Sequence, residues 1–326
     1  MSRQSALQSS APVEDNSFNG YEMLMEACAP LDPITVAVVH PCDDISLTSA
    51  IDAAREGLIT PVLVGPQAKI KAVAEAEGLD LTPYRIVDVE HSHAAAARAV
   101  ELVRLGEAEA LMKGSLHTDE LLAEVVNKAT GLRTDRRISH CFIMDVPTYP
   151  KPLIVTDGAV NIAPDLKAKA DICQNAIELA QVLRIEQPKV AILSAVETVN
   201  PDIPSTIDAA ALCKMADRGQ IVGGVLDGPL ALDNAISMEA ARTKKIVSPV
   251  AGQADILLVP DLEAGNILAK QLTFLARAEA AGIVLGARVP IILTSRADTL
   301  RVRLASCAVA VLLVHARRRR LVAAAD

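Results

Sequence analysis

The segment that decides the fold, residues 255–270, reads DILLVPDLEAGNILAK. Residues 256–259 are a continuous apolar run, which is typical of a strand covered on both faces of a parallel sheet. A turn follows, and helical spacing returns over 266–275. In such α/β units, ligands bind beyond the carboxyl ends of the strands. The candidate ligand-binding positions are the loop residues Asp261, Glu263, Gly265 and Asn266, and a capped turn without a ligand is the alternative.

The same alternation of strands and helices extends in both directions from this unit. Upstream, the sequence predicts strands at 34–39, 60–65, 85–89, 141–146, 153–156, 189–194 and 221–226. It predicts helices at 46–56 with Ser46 as N-cap, and at 70–77, 92–106, 119–129, 166–184 and 205–217. Downstream, a helix is predicted at 271–281, a strand at 290–294 and a buried helix at 304–315. This order predicts an α/β fold with a parallel-rich sheet and right-handed crossovers.

Composition bounds the domain organisation and the partners. The chain has 326 residues, and 51% of them are hydrophobic. A chain of this length usually forms more than one hydrophobic core, so we expect two domains. A rigid connection with prolines at 147, 150 and 152 is the candidate boundary, and residues 1–20 are expected to form a disordered tail. The net charge of -8 argues against nucleic-acid and anionic-membrane partners.

The cysteines and the apolar runs indicate the compartment. Six cysteines are scattered without a Cys-x-x-Cys pair, so neither a disulfide framework nor a zinc site is predicted. The first twenty residues do not resemble a secretion signal, and the apolar runs stay below the roughly 18 residues that span a bilayer. We therefore expect a soluble, cytoplasmic protein.

Two further segments have the composition of anion sites. The loop 113–118 combines a lysine and a glycine with Ser115, His117 and Thr118, just before a predicted helix whose first amides attract anions. Helix caps are the alternative for the two hydroxyls. Arg133, Arg136 and Arg137 precede a predicted strand and could form a phosphate clamp or a solvated loop.

Five motifs resemble, in the same order, those of the phosphate acetyltransferase and phosphate butyryltransferase family. They are GxxHT at 114–118, DGPxxxDxA at 227–235, SPVAG at 248–252, PDLxxGNI at 260–267 followed by Lys270, and TSR at 294–296. The resemblance covers about residues 30–315. TDGAVNIAPDL at 156–166, SRAD at 295–298 and LASCA at 304–308 are more similar to the butyryltransferase-like branch.

The resemblance implies a two-domain fold like that of isocitrate and isopropylmalate dehydrogenases, with the active site in the cleft between the domains. Domain I would comprise residues 21–147 and 290–326, and domain II residues 148–289. The implied reaction is acyl-CoA plus phosphate giving acyl phosphate plus coenzyme A. It also implies a homodimer or higher homo-oligomer that uses coenzyme A only as a substrate and holds no bound cofactor or metal.

The resemblance also implies roles for individual residues. Arg296 would bind phosphate and stabilise developing charge, and Ser295 would donate a hydrogen bond at the thioester. Relatives carry an acid seven residues after the serine, but Val302 occupies that position here, so the nearest acid, Asp298, is the hypothetical base. The implied substrate-binding set is Gly114, Ser115, His117, Thr118, Arg133, Arg137, Asn161, Asp261, Gly265, Asn266 and Lys270.

Two other functions are consistent with the sequence. A metal- and NAD(P)-dependent dehydrogenase of the same fold would need a dinucleotide loop, and Gly-x-Gly-x-x-Gly is absent. A non-catalytic CoA-binding protein would bind coenzyme A without making acyl phosphate. The sequence leaves the choice between acetyl and butyryl chains open, because one methylene contributes only roughly 1 to 3 kcal/mol to discrimination.

Overall fold

The computed structural model describes residues 20–294 and 298–323, so the predicted tail, except Gly20, lies outside the described residues. The strands are β1 Ile34–Val39, β2 Ile59–Gly65, β3 Arg85–Asp88, β4 Ala110–Lys113, β5 Ser139–Asp145, β6 Leu153–Thr156, β7 Lys189–Leu193, β8 Val225–Leu230, β9 Ile256–Leu258, β10 Glu279–Leu285 and β11 Ile291–Ile292. The helices are α1 Gly20–Cys28, α2 Asp44–Arg55, α3 Gln67–Ala76, α4 Ser92–Arg104, α5 Thr118–Val125, α6 Leu166–Val182, α7 Pro204–Asp217, α8 Leu232–Ile236, α9 Met238–Thr243, α10 Leu262–Leu275 and α11 Leu300–Ala323.

The described strands form one eleven-stranded sheet in the order β3-β2-β1-β4-β11-β10-β5-β6-β9-β7-β8. Pairings are parallel within β3-β2-β1-β4-β11 and within β6-β9-β7-β8. Three antiparallel pairings, β11 with β10, β10 with β5 and β5 with β6, join these two halves. The α/β fold with a mostly parallel sheet is therefore confirmed. Because β11 pairs with β4, the chain returns to the first half of the sheet near its C-terminal end.

Helices cover both faces of the sheet, which explains why inner strands such as β1, β6 and β9 are almost entirely apolar. In β1, Ile34, Val36 and Val38 pack on one face with apolar residues of α2 and α11. Ala37 and Val39 pack on the opposite face, against α4 and α5. The alternation follows from the period of two along a strand. A third cluster packs β6, β7 and β9 against α10.

The structure corrects one predicted element near the middle of the sheet. A helix was predicted over 271–281, but α10 ends at Leu275 and β10 begins at Glu279. The segment EAAG is rich in alanine, which favours helices. Strand formation prevails because β10 lies between β5 and β11, where its backbone groups find partners on both sides.

Smaller corrections concern β8 and the start of α2. β8 spans Val225–Leu230 instead of 221–226, because its partner β7 begins pairing at Val225. β8 is the edge strand of the sheet and therefore tolerates Pro229. The N-cap of α2 is Asp43 and not Ser46: the Asp43 carboxylate accepts a hydrogen bond from the Ser46 amide at 2.8 Å.

All six cysteines are free, as the scattered spacing predicted. Burial raises the pKa of the Cys141, Cys173 and Cys307 thiols to about 12, so these side chains are protonated core residues at neutral pH. In the part of the chain that the structure describes, no helix combines the length and apolar character needed to cross a membrane.

The core position of β9 generates a stability prediction. Ile256 is fully buried and lies between Ile154 of β6 and Val190 of β7. Ile256→Ala should lower the free energy of unfolding by about 2–5 kcal/mol, because it leaves a cavity between two strands. Urea denaturation measures this change. Ile207→Ala, the same substitution on an exposed helix position, should cost less than about 1 kcal/mol, and equal losses in the two variants would contradict the assignment of β9 to the core.

Candidate active site

The loop after β4 is held against the end of β1. A Cβ atom on Gly114 would lie 2.4 Å from the Val39 carbonyl oxygen, so only glycine fits there. The amides of Gly114 and Ser115 donate to the carbonyls of Val39 and His40, each at 2.9 Å. The Ser115 hydroxyl donates to the His40 carbonyl at 2.9 Å and accepts from the Cys42 amide at 3.2 Å. These bonds connect the loops after β4 and β1, so Gly114 and Ser115 have a structural role whatever they bind.

The second part of this loop begins α5. His117 occupies the N-cap position without a side-chain capping bond and is exposed, and half-buried Thr118 is the first helical residue. The amides of Gly114 and Ser115 are already hydrogen-bonded within the protein, whereas the side chain of His117 is exposed and that of Thr118 is partly exposed. Their assignment to substrate binding stays a prediction.

The predicted catalytic segment follows β11. Ser295 and Arg296 lie outside the described residues, but the residues on both sides are described. Since β11 is parallel to β4, Thr294 emerges beside Lys113 and Gly114, and these three residues line one recess. Asp298 lies on the other side of the segment, where its carbonyl oxygen accepts from Arg303 Nη1. The structure therefore brings Thr294, the first residue of the TSR segment, to the start of the GxxHT loop.

A second cluster forms where β6 ends. Asp157 is buried, and its carboxylate accepts hydrogen bonds from the amides of Ala159, Val160 and Asn161 and from Asn161 Nδ2. The Asn161 side-chain oxygen accepts from Arg137 Nε at 2.8 Å. Asp157 thus orders the loop that presents Asn161 and Arg137.

The start of α10 packs on the same loop. A Cβ atom on Gly265 would lie 2.9 Å from Gly158 Cα, so the helix approaches the loop backbone more closely than any other residue permits. Asn266 Nδ2 donates to the Gly158 carbonyl at 3.1 Å. Asp261 is the N-cap of α10 and accepts from the Ala264 amide at 2.8 Å, which is the capped turn weighed as the alternative for this loop. The structure therefore joins Asn161, Gly265 and Asn266 in one wall.

The three arginines before β5 have different surroundings and do not share one partner. Arg136 Nη1 lies 2.8 Å from the Glu178 carboxylate on α6, while Arg137 bonds to Asn161. Arg133 is exposed, and its backbone bridges to Ala287. Lys270 is exposed on α10, one turn beyond Asn266. A substrate-binding role for Arg133, Arg137 and Lys270 stays a prediction.

Sequence reasoning missed His140, which lies between the two groups of site residues. It is fully buried in β5, with its ring packed edge-on against Phe142, and neither ring nitrogen has a hydrogen-bond partner among the described residues. Burial lowers the His140 pKa to about 4, while the negative charge of Asp157 and the backbone of Leu293 act in the opposite direction. The imidazole is therefore neutral at pH 7. Nothing in the sequence indicated a buried, neutral His140, because a single histidine in an apolar strand forms no motif with neighbouring residues.

Comparison with known proteins identifies the family. The family described as phosphate acetyl/butaryl transferase matches residues 93–311. The chain is 65% identical over 304 residues to the phosphate acetyltransferase of Rhizobium meliloti, covering 93% of this chain and 96% of that protein. The chain belongs to the phosphate acetyl/butyryl transferase family. The resemblance predicted from the five motifs is confirmed.

Other members of the phosphate acetyl/butyryl transferase family are similar at lower identity. The phosphate butyryltransferase of Clostridium acetobutylicum is 44% identical over 277 residues, covering 85% of this chain and 92% of that protein. A branched-chain phosphotransacylase structure from Enterococcus faecalis V583 superimposes with a TM-score of 0.74 at 32% identity, covering 86% of this chain and 99% of that one. As family members are acyltransferases, the dehydrogenase and the non-catalytic alternatives are set aside.

The buried imidazole generates a prediction about pH and stability. A group whose pKa is lower in the folded than in the unfolded protein stabilises the fold fully above its unfolded pKa, and this contribution is lost as the pH falls toward the folded pKa. For His140 this loss occurs as the pH falls from about 6.5, the ordinary pKa of histidine, to about 4, its pKa in the folded protein. Chemical denaturation at several pH values should show a loss on the order of 3 kcal/mol across it.

Two variants test the assignment of this loss to His140. His140→Phe should flatten the pH dependence below pH 6.5, because phenylalanine does not titrate. His93→Gln, which removes an exposed histidine, should retain the wild-type slope. A His140→Phe protein with an unchanged slope would show that another group causes the loss.

Proposed function

We propose that this phosphate acyltransferase transfers a short acyl group from acyl-CoA to inorganic phosphate by direct attack in a ternary complex, and that the reaction is reversible. The observation that supports this proposal is the convergence of the β11 end, which leads into Ser295 and Arg296, with the Gly114 loop at one recess. Placing both reactants in one cleft can supply roughly 7–11 kcal/mol of the barrier, so a covalent acyl-enzyme is not required. Coenzyme A takes part as a substrate.

In this proposal each part of the site has a separate task. Arg296 binds the phosphate and stabilises the charge that develops on the thioester oxygen, since guanidinium groups pair with oxyanions through parallel N–H bonds. Ser295 donates a hydrogen bond to the thioester or the leaving sulfur. Asp298 takes the proton that phosphate releases. His117 and Thr118, at the start of α5, contact the substrate in this proposal.

The wall of Asn161, Gly265 and Asn266 is proposed to face the acyl-CoA. Its backbone geometry is rigid, because Asp157 holds the loop through four N–H groups and Gly265 packs directly on Gly158. Arg137 is tied to this wall through Asn161, so its guanidinium is a candidate for a phosphate of coenzyme A. A rigid wall supports catalysis because reactive groups must be held within a fraction of an ångström.

The finer architecture also belongs to the proposal. The two predicted domains are residues 21–147 with 290–326, and residues 148–289, with the cleft between them. The division of the sheet into two parallel halves, β3-β2-β1-β4-β11 and β6-β9-β7-β8, supports this proposal. A 4-hydroxythreonine-4-phosphate dehydrogenase from Salmonella typhimurium shares this fold at a TM-score of 0.53 and 15% identity, which supports the dehydrogenase-like comparison at the level of fold. The homodimer and the cytoplasmic location stay predictions.

The reaction is tested by release of free thiol from acetyl-, propionyl- and butyryl-CoA, with and without phosphate. Wild-type protein should release thiol only with phosphate, and the relative rates rank the acyl chains. Arg296→Ala should lower kcat/KM by about 10²–10³-fold, as expected for loss of one charge-stabilising donor group. Arg218→Ala, at an exposed position of the second half, is the matched control. Thiol release by Arg296→Ala at the wild-type rate would exclude the proposed role of Arg296.

The base assignment is tested separately through the pH profile. Asp298→Asn should lower kcat by about 10²–10⁴-fold and remove the rise of the rate with pH that a general base produces. Asp217→Asn, an exposed carboxylate at the end of α7, should leave the profile unchanged. If Asp298→Asn retains turnover across the pH range, Asp298 is not the base.

A further inference from the structure

The recess beside the β11 end contains a cationic side chain that neither the motifs nor the proposed roles include. The recess is bounded by the start of α2, the end of β4, Thr294 and Arg303. Arg303 lies in the first turn of α11, where its amide donates to the Thr299 carbonyl at 3.1 Å. Arg303 thus lines the recess from the start of α11.

The Arg303 guanidinium is only partly satisfied by the protein. Nη1 donates to the Asp298 carbonyl oxygen, whereas Nε is buried and has no hydrogen-bond partner in the described ranges 20–294 and 298–323. A buried N–H without an acceptor is destabilising, and guanidinium N–H groups form their strongest bonds with phosphate and carboxylate oxygens. Since Arg303 also lines the recess, an oxyanion bound there would add an acceptor to an incompletely paired guanidinium.

The charges and the size of the recess favour a small anion. Arg303 and Lys113 contribute two positive charges, and Asp43 contributes one negative charge. One Asp43 oxygen is already occupied by the Ser46 amide at 2.8 Å. The free volume of the recess is about 20 Å³, little more than one water molecule needs, so the recess can take part of a small ion and not a whole nucleotide.

We propose that Arg303 binds the phosphate ion that attacks the thioester, assisted by the charge of Lys113, and so adds a cationic contact to the one proposed for Arg296. This inference rests on the proposed function. Because the same guanidinium holds the Asp298 carbonyl, it also connects the bound phosphate to the segment that carries Ser295 and Arg296. No bond is made or broken at Arg303: it orients the nucleophile.

Steady-state kinetics with phosphate and acetyl-CoA varied independently tests the proposal. Arg303→Met keeps the length of the side chain and should raise the KM for phosphate at least tenfold, as expected for a lost charge-assisted hydrogen bond, with the KM for acetyl-CoA changed less than twofold. The KM for phosphate of Arg303→Lys should lie between the values of the wild type and of Arg303→Met, because lysine keeps the positive charge but not the planar arrangement of N–H donors. Arg319 is exposed on the same helix, and Arg319→Met should have the wild-type KM for both phosphate and acetyl-CoA.

Acetyl-dephospho-CoA, which lacks the 3′-phosphate, separates the two sources of a phosphate group. A KM for acetyl-CoA that rises in Arg303→Met, while the KM for acetyl-dephospho-CoA does not, would assign the recess to coenzyme A and overturn the proposal. An unchanged KM for phosphate in a folded Arg303→Met protein would overturn it as well. If Arg303→Met does not fold, as judged by its thermal transition, the KM for phosphate of Arg303→Lys is compared with that of the wild type instead. An unchanged value in Arg303→Lys would then overturn the proposal.

Calorimetric titration with inorganic phosphate distinguishes failure of this inference from failure of the proposed function. Wild-type protein without phosphate-dependent thiol release would refute the function. Phosphate binding to that protein, lost in Arg303→Met, would still support the recess as a phosphate site. Equal phosphate binding by wild type and Arg303→Met would overturn the assignment of Arg303, whether or not the enzyme turns over.

Discussion

The antiparallel pairing of β10 with β5 is the interaction on which the rest of the structure depends. It aligns seven residues, Glu279–Leu285 with Ser139–Asp145, and joins two parallel half-sheets that would otherwise expose unpaired edges. Gly282 lets β11 approach β10 closely, since a Cβ there would lie 2.5 Å from the Leu293 carbonyl oxygen. The position of Thr294 beside Gly114, and with it the recess, follows from this pairing.

Close backbone contacts explain why the glycines of the motifs are needed. Gly114 packs on the carbonyls of Val39 and His40, and Gly265 packs on Gly158. In each case the glycine brings a helix start to a neighbouring loop, where polar groups from different parts of the chain meet. A motif that resembles a binding signature therefore also encodes packing, and the two roles share the same residues.

Buried polar groups beneath the site differ in how they are satisfied. Asp157 receives four N–H groups and is fully integrated into its loop, so it acts as a rigid support. His140 has no such partner among the described residues and stays neutral because of its burial. A neutral imidazole costs less to bury than a charged one, which is why this position tolerates a titratable side chain. In Arg303, Nη1 is hydrogen-bonded to Asp298, whereas Nε has no partner among the described residues. A bound anion would supply a further acceptor for this guanidinium.

The sequence by itself determined the α/β class, most of the strands, and the family, because apolar runs, helix periodicity and the order of five motifs are local properties. It also predicted which loops carry polar residues. Only the tertiary structure decided that the alanine-rich segment at 279–281 is a strand, that the hydroxyl of Ser115 is hydrogen-bonded to His40 just after β1, and that Arg136 pairs with Glu178. The same holds for His140 and Arg303, which sequence reasoning missed. The physical reason is that the strand pairing of β10 with β5, the Ser115–His40 bond and the Arg136–Glu178 pair each join groups more than twenty residues apart. Spacing along the chain contains no record of which distant groups a folded sheet brings into contact.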